Sequence, residues 1–316
     1  MQEKTLISFI IPVYNIEPNV LCQCLESILA VQIEGKREII VVDDGSEQEV
    51  SRLLPPQIRG HIHLIRQRNQ GAAAARNVGL SMARGEYIQF VDADDHLLPT
   101  LYSILLTFAI RKKADFLAFR SVSSTREEKH ICSIYGPTNG ADYMMKNYVR
   151  VMPWGYVFRR SVCGELRFTN GSFYEDEEFT PLLLLRCERM FYTLSKAYFY
   201  NEREGSLTRT KDVDFTQKRF PDFERILLSL HERELHTTGK EQMALKRRVA
   251  QIAEDYLYNI MRFTHNALLL QQTMARLNEK GVLPLPSAWK YGLKYEVFRW
   301  LIGCSLTRNA LTMWVH

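Results

Sequence analysis

Two acidic segments carry side chains that could do chemistry. Asp92-Ala93-Asp94-Asp95 places three carboxylates within four residues, directly after the apolar run Tyr87–Val91. Like charges so close repel one another unless a cation or hydrogen-bond donors neutralise them. Hard oxygen ligands suit Mn2+ or Mg2+, ions that accept one or two protein carboxylates and complete their shell with water and substrate phosphates. The segment therefore points to a phosphorylated ligand; it also reads as a helix cap and acidic first turn before Pro99. The other segment, Tyr174-Glu175-Asp176-Glu177-Glu178, crowds carboxylates whose repulsion lifts some pKa values toward the range of a general base. Its alternative is the acidic first turn of a helix running to Cys187.

Asp43-Asp44-Gly45-Ser46 succeeds a further apolar run, and Gly45 permits a tight turn that lets one carboxylate face a ligand. A carboxylate only accepts hydrogen bonds, so it suits a base edge with an N–H donor such as uracil N3; a plain strand-to-helix turn is the other reading. In Arg68-Asn69-Gln70-Gly71-Ala72-Ala73-Ala74-Ala75-Arg76-Asn77-Val78-Gly79, small residues open a helix whose N-terminus can approach a ligand closely. Arg76 either meets an anionic or base ligand there or pairs with a rim aspartate.

The elements that must hold these groups alternate in type. Thr5–Val13, Glu38–Val42, His61–Ile65, Tyr87–Val91 and Asp115–Phe119 read as strands. Between them, helices are predicted after Pro18 (Leu21, Leu25, Ile28, Leu29), over Ala72–Ala83 and over Pro99–Lys112. This order predicts an α/β fold with a mostly parallel central sheet and helices on both faces. Ligands of such sheets bind beyond the carboxyl ends of the strands. Those ends lead into Tyr14-Asn15, Asp43 to Ser46, Gln67 to Gly71 and Asp92 to Asp95, so polar and acidic residues gather on one rim.

From Gly140 to Leu207 the pattern is mixed, with a Trp154-Gly155 pair and a short strand predicted at Ala197–Tyr200. Beyond Lys211 it is helical, with Ile252, Tyr256, Ile260 and Phe263 in register, interrupted by Gly281, Pro284 and Pro286. We expect a catalytic domain over 1–211 and a helical C-terminal extension over 212–316.

The chain has 316 residues, 46% hydrophobic and 24% charged, which excludes disordered and fibrous classes. The net charge of +5 does not predict nucleic-acid binding, and from Phe215 onward Lys and Arg outnumber Asp and Glu by 15 to 9. No run approaches the roughly 20 apolar residues of a membrane span, and Met1-Gln-Glu-Lys leads into a strand rather than a signal peptide. The expected location is cytoplasmic. Six scattered cysteines, without paired C-x-x-C spacing, read as reduced thiols.

Phe9-Ile-Ile-Pro-Val-Tyr-Asn15, Ile40-Val-Val-Asp-Asp-Gly-Ser46, Asn69-Gln-Gly through Ala75-Arg-Asn-Val-Gly79, and Phe90-Val-Asp-Ala-Asp-Asp95 come in an order that resembles the successive motifs of the family 2 glycosyltransferases of the GT-A fold. The resemblance is strong over residues 5 to about 100 and weaker over 150–210. It implies a nucleotide-sugar donor, a UDP-sugar being favoured, a divalent metal (Mn2+ or Mg2+) and inversion at the anomeric carbon. On this chain it implies that Pro12, Tyr14, Asn15, Asp43, Asp44 and Arg76 line the donor site. Asp92, Ala93 and Asp94 would then face ribose, diphosphate and metal, with Asp94 the direct ligand beside Asp92.

In similar sequences a Glu-Asp pair supplies the base, here Glu175-Asp176, with Asp176 chosen. Arg203 and Arg209, with Ser206 and Thr208, resemble a loop that closes over the diphosphate. Trp154 resembles an aromatic near the acceptor, where it either stacks on a sugar or packs in the core. The acceptor expected is a glycan or lipid-linked glycan of cell-envelope polysaccharide synthesis, with the nucleotide-sugar half at about 1–120 and the acceptor half at 121–211.

Other classes fit less well. A dinucleotide-dependent dehydrogenase needs G-x-G-x-x-G where this chain has Val13-Tyr14-Asn15-Ile16-Glu17-Pro18. A nucleotidyltransferase would carry a glycine-rich, cationic loop after its first strand. A glycosidase leaves the four-motif rim unexplained, and a non-catalytic binding protein of the same fold would have lost the metal or base carboxylates. In the tail, Trp289, Leu293, Val297, Trp300, Leu301 and Cys304 recur at helical spacing beside Lys290, Lys294, Arg299 and Arg308. That stripe either lies on an anionic membrane surface, bringing the enzyme to the inner face, or packs on the catalytic domain or on a second subunit as a homodimer.

Overall fold

The computed structural model describes residues 4–123, 132–202, 217–286 and 296–300. The chain divides into two units, Met1–Gly140 with Arg150–Arg203, and Ala141–Val149 with Glu204–His316.

In the first unit the strands are β1 (Thr5–Val13), β2 (Lys36–Asp43), β3 (His63–Arg66), β4 (Tyr87–Phe90), β5 (His96–Leu97), β6 (Phe116–Val122), β7 (Ile134–Thr138), β8 (Tyr156–Arg159) and β9 (Met190–Phe199). Its helices are α1 (Pro18–Leu29), the single turns α2 (Val50–Leu53) and α3 (Pro56–Arg59), then α4 (Ala72–Met82) and α5 (Pro99–Arg111). The helix Gly140–Lys146, α6, comes next in sequence, and then α7 (Arg160–Cys163) and α8 (Glu175–Leu185).

The strands form one sheet in the order β3-β2-β1-β4-β8-β6-β9-β5, with β7 on β9. Pairing is parallel along β3-β2-β1-β4 and again between β6 and β9, whereas β8 lies antiparallel between β4 and β6. Residues 39–42 of β2 and 87–90 of β4 are buried without alternation, as expected for strands covered on both faces. On one face Phe9, Ile11, Leu25, Tyr102 and Leu105 form the core with α1 and α5. On the other, α4 packs on β1, where a Cβ at Gly79 would collide with Ile10.

β1 is central, and its neighbours β2 and β4 lead away in opposite directions, which makes its carboxyl end the switch point of the parallel sheet. Val91 N donates to Ile10 O at 3.0 Å, so the next backbone donor facing β4 would be Pro12, which has no N–H. The β1–β4 pairing accordingly ends at Ile10 and Phe90. Beyond that register the two strand ends lose their ladder where the rim motifs begin.

The second unit contains α6, α9 (Phe220–Leu235), α10 (Gly239–Thr264) and α11 (Ala267–Glu279). In α10 the residues from Ala244 to Ala253 are buried almost without interruption, Lys246 excepted, so this helix is the core of its unit. Among the described residues no helix is long and apolar enough to cross a membrane.

Candidate active site

The rim is built by turns that lock one another. Asn15 adopts φ 46°, a left-handed conformation that asparagine tolerates. Its side chain accepts from Glu47 N at 2.9 Å, and its own N donates to Ser46 Oγ at 3.0 Å. Asp43 is buried; it accepts from Ser46 N at 2.9 Å and lies 3.5 Å from Arg66. Asp44, also buried, accepts from Gln67 Nε2 at 2.7 Å, Gln70 N at 2.9 Å and Gly71 N at 2.8 Å. Asp44 thus spends most of its acceptor capacity, and Asp43 part of it, in fixing the loops. Gly45, at φ 77°, sits so close to Asn69 that a Cβ would come within 2.8 Å of Asn69 N. Pro12 is half-buried, and Tyr14 stands out from the rim with 54% of its surface exposed.

The three aspartates after β4 have separate fates. Asp92 receives Arg76 at 3.0 Å, and its backbone N donates to Tyr198 Oη at 3.1 Å. Ala93 is buried. Asp95 is buried and accepts from Tyr198 Oη and Asn201 N, each at 2.8 Å. Burial first, then the neighbouring Asp92, pushes its pKa up to about 8. Asp94 is half-buried on the same turn. The charge crowding expected from the sequence is therefore relieved in part by protein donors.

Arg76 makes the pairing with a rim aspartate that is one of the two readings of its motif. It is 6% exposed and donates to Asp92 and, at 2.6 Å, to Glu175 Oε1, with its guanidinium 5.6 Å from the Phe168 ring centroid. Burial opposes its charge, but Asp92 and Glu175 outweigh that cost and raise its pKa above the usual arginine value. The next residue, Asn77, donates to Phe168 O at 2.8 Å and to Asn170 Oδ1 at 2.9 Å, and accepts from Phe168 N at 2.9 Å. Adjacent side chains of α4 thus fasten both ends of the segment that leads into α8.

Of the four acids opening α8, Glu175 is engaged by Arg76 and Glu178 by Thr169 Oγ1 at 2.6 Å. Asp176 lies between them, and burial, reinforced by repulsion from Glu177 and Glu175, raises its pKa, with Arg76 opposing the rise. A carboxylate shifted in that direction suits proton abstraction near neutral pH. Trp154 is 8% exposed, and its indole stacks on Tyr198 at 4.5 Å and on Tyr200 at 5.8 Å between ring centroids. Of the two roles expected for it, the structure places it in packing. Arg203, Arg209, Ser206 and Thr208 lie outside the described residues, as do most of the tail positions; Val297 and Trp300 are described and exposed.

Sequence reasoning misses Asn77, although it sits inside one of the rim motifs, and Tyr198, whose hydroxyl joins Asp92 to Asp95 across 106 and 103 positions. Only the relative position of β4 and β9 reveals the latter.

Among the described residues no three His, Cys, Asp or Glu side chains converge as a metal-binding group. Asp92 and Asp94 are hard oxygen donors of the kind of which Mg2+ or Mn2+ accepts one or two, and one Asp92 oxygen already receives Arg76.

A family model described as glycosyl transferase family 2 matches residues 8–166. In sequence the chain is similar to glycosyltransferase GlyA of Streptococcus pneumoniae serotype 4, with 30% identity over 220 residues, 64% of this chain and 31% of that protein. It is also similar to the uncharacterized glycosyltransferase YibD of Escherichia coli K12, at 29% over 254 residues, 73% of this chain and 72% of that one. The match thus spans less than a third of GlyA. In structure it resembles S. aureus TarS 1–349 in complex with UDP-GlcNAc, with a TM-score of 0.71 and 17% identity over 98% of this chain and 89% of that one. It also resembles the mannosyltransferase PcManGT of Pyrobaculum calidifontis in complex with GDP-Man and Mn2+, with a TM-score of 0.54 and 13% identity over 99% and 88%. The architecture is the GT-A α/β fold.

Proposed function

Because the chain belongs to glycosyl transferase family 2, we propose that it is an inverting, metal-dependent glycosyltransferase that moves a hexosyl or N-acetylhexosaminyl group from a UDP-sugar to a hydroxyl of a glycan or lipid-linked glycan. The observation that carries this reading is the Arg76 bridge. It brings the aspartates after β4, suited to a diphosphate and its cation, next to the acidic start of α8, suited to activating an acceptor.

On this reading Asp176 takes the proton of the acceptor hydroxyl, whose oxygen attacks the anomeric carbon from the side opposite the diphosphate. The bond from that carbon to the phosphate oxygen breaks, and the nucleoside diphosphate leaves with its electron pair. No general acid is needed, since a diphosphate is a good leaving group once its charge is offset. Asp94, with Asp92, would hold Mn2+ or Mg2+, which supplies that Lewis-acid chemistry when bound. Tyr14, Asn15, Pro12, Asp43 and Asp44 shape the nucleoside end, Ala93 with Asp92 borders the ribose, and Glu175 fixes the base segment.

The complexes of the two structural neighbours, with UDP-GlcNAc and with GDP-Man and Mn2+, support a nucleotide-sugar donor. We read the catalytic domain as 1–211, working at the cytoplasmic face in cell-envelope polysaccharide synthesis. For the extension 212–316, the exposed Val297 and Trp300, at 47% and 66%, leave two occupants, an anionic membrane surface or a second subunit. Calorimetric titration with UDP, GDP and dTDP, each with Mn2+ and with EDTA, tests the donor assignment. UDP binding that requires the cation supports it; binding of none of the three overturns it.

A further inference from the structure

The segment between Phe168 and Tyr174 is held far more firmly than a connecting loop requires. Asn77 makes three hydrogen bonds to Phe168 and Asn170, Thr169 donates to Glu178 at 2.6 Å, and Tyr174 N donates to Ser172 Oγ at 3.2 Å. Gly171 turns the chain at φ 74°. At the end of this pinned turn Phe173 is 46% exposed, beside the buried cluster of Phe90, Phe158, Phe168 and Phe179 in the same unit. It stands three positions before Asp176, and at no more than about 3.6 Å per residue the two α-carbons lie within roughly 11 Å.

Distance and chemistry together name the occupant. If Asp176 is the base, the acceptor hydroxyl must come within hydrogen-bond reach of its carboxylate. A pyranose ring carrying that hydroxyl, and the residue linked to it, then cover the surface within about one sugar length of the base. A rigid aromatic face loses little conformational entropy when a C–H-rich sugar face settles on it. Trp154, the other aromatic considered for this task, is buried against Tyr198 and Tyr200.

We propose that the Phe168–Tyr174 turn is an acceptor subsite in which Phe173 stacks on a sugar ring of the acceptor, while Asn77 acts as a positioning residue that keeps the turn in place. The proposal rests on the reading of Asp176 as base.

The test uses the full chain with UDP-GlcNAc and Mn2+, and a panel of methyl glycosides and disaccharides of glucose, galactose, N-acetylglucosamine and N-acetylgalactosamine. Saturation-transfer NMR identifies the sugars that bind, and transfer to them is followed by mass spectrometry. Phe173→Ala should raise the KM of a working acceptor about tenfold, with kcat and UDP affinity within about twofold of the parent, and Phe173→Tyr should restore it. Asn77→Ala should lower kcat and raise acceptor KM together, without weakening UDP. An unchanged acceptor KM in Phe173→Ala, or the absence of saturation transfer to any sugar of the panel, overturns the subsite. Loss of UDP binding by the parent itself would instead overturn the donor assignment.

Discussion

The Arg76 guanidinium donates to Glu175 at 2.6 Å across 99 positions of sequence, and its second branch meets Asp92 at 3.0 Å. One side chain therefore joins the turn after β4, where a donor phosphate would sit, to the first turn of α8, where an acceptor would be activated. With the arginine and glutamate side chains 8% and 12% exposed, this is an ion pair of the protein interior, and its loss leaves charges with no easy route to water.

Arg76→Gln should destabilise the protein by about 3–5 kcal/mol, the range seen when one partner of a buried pair is removed. Urea denaturation monitored by circular dichroism reads this directly. Arg76→Lys, which keeps the charge but loses the two-branched donor, should fall between that variant and the parent. A change below about 0.5 kcal/mol in Arg76→Gln, the size typical of a surface substitution, would show that the pair contributes little.

Asp176→Asn should lower turnover by about two to four orders of magnitude while UDP binds as before, because a base acts on the acceptor proton. Glu175→Gln should cost less, since it weakens the hold on the base segment without removing the base. The reverse ranking would assign the base to Glu175.

The rate should rise with pH through the raised pKa of Asp176, since only the ionised carboxylate takes a proton. The acidic limb of kcat should therefore lie above the ordinary aspartate value of about 3.9. Arg76 works against that rise, so removing its charge should carry the limb further up the pH scale. A limb near an ordinary aspartate in the parent protein would contradict that upward shift.

In the helical unit, burial, with added repulsion from Asp255 and Glu296, pushes Glu254 up to about 7. A carboxyl raised in the folded state contributes stability that is full below its unfolded value near 4.3 and is lost as pH rises through about 7. Glu254→Gln stays neutral throughout. Relative to the parent, its thermal midpoint should move upward between about pH 5 and about pH 8; a constant difference would contradict the shift.

The parallel half of the sheet is legible because β1, β2 and β4 are continuous apolar runs that end in polar turns, and the rim motifs stand where those runs stop. β9 is legible only at its end. Its polar Thr193 and Ser195 break the apolar pattern, yet both are buried, bonded to one another at 2.9 Å and to the Cys132 backbone. The four-residue β8, Tyr156–Arg159, has the aromatic and β-branched residues of a strand, but nothing local shows that it lies antiparallel between β4 and β6. The motif around Arg76 is visible, but its partners are not: nothing in the spacing shows that α4 faces the start of α8. Nor can a sequence say that Trp154 lies against Tyr198, because that contact depends on the β8–β6–β9 order.

Release of UDP from UDP-GlcNAc bears on donor, cation and base at once, when it is measured with Mn2+ on the parent protein, Asp94→Ala and Asp176→Asn beside calorimetric UDP binding. The parent should release UDP slowly, with water or an added sugar as acceptor. Asp94→Ala should lose cation-dependent UDP binding, and Asp176→Asn should keep binding without release. Release by Asp176→Asn at the parent rate, or a failure of the parent to turn over any UDP-, GDP- or dTDP-sugar, would be incompatible with a metal-dependent transferase that uses Asp176 as its base.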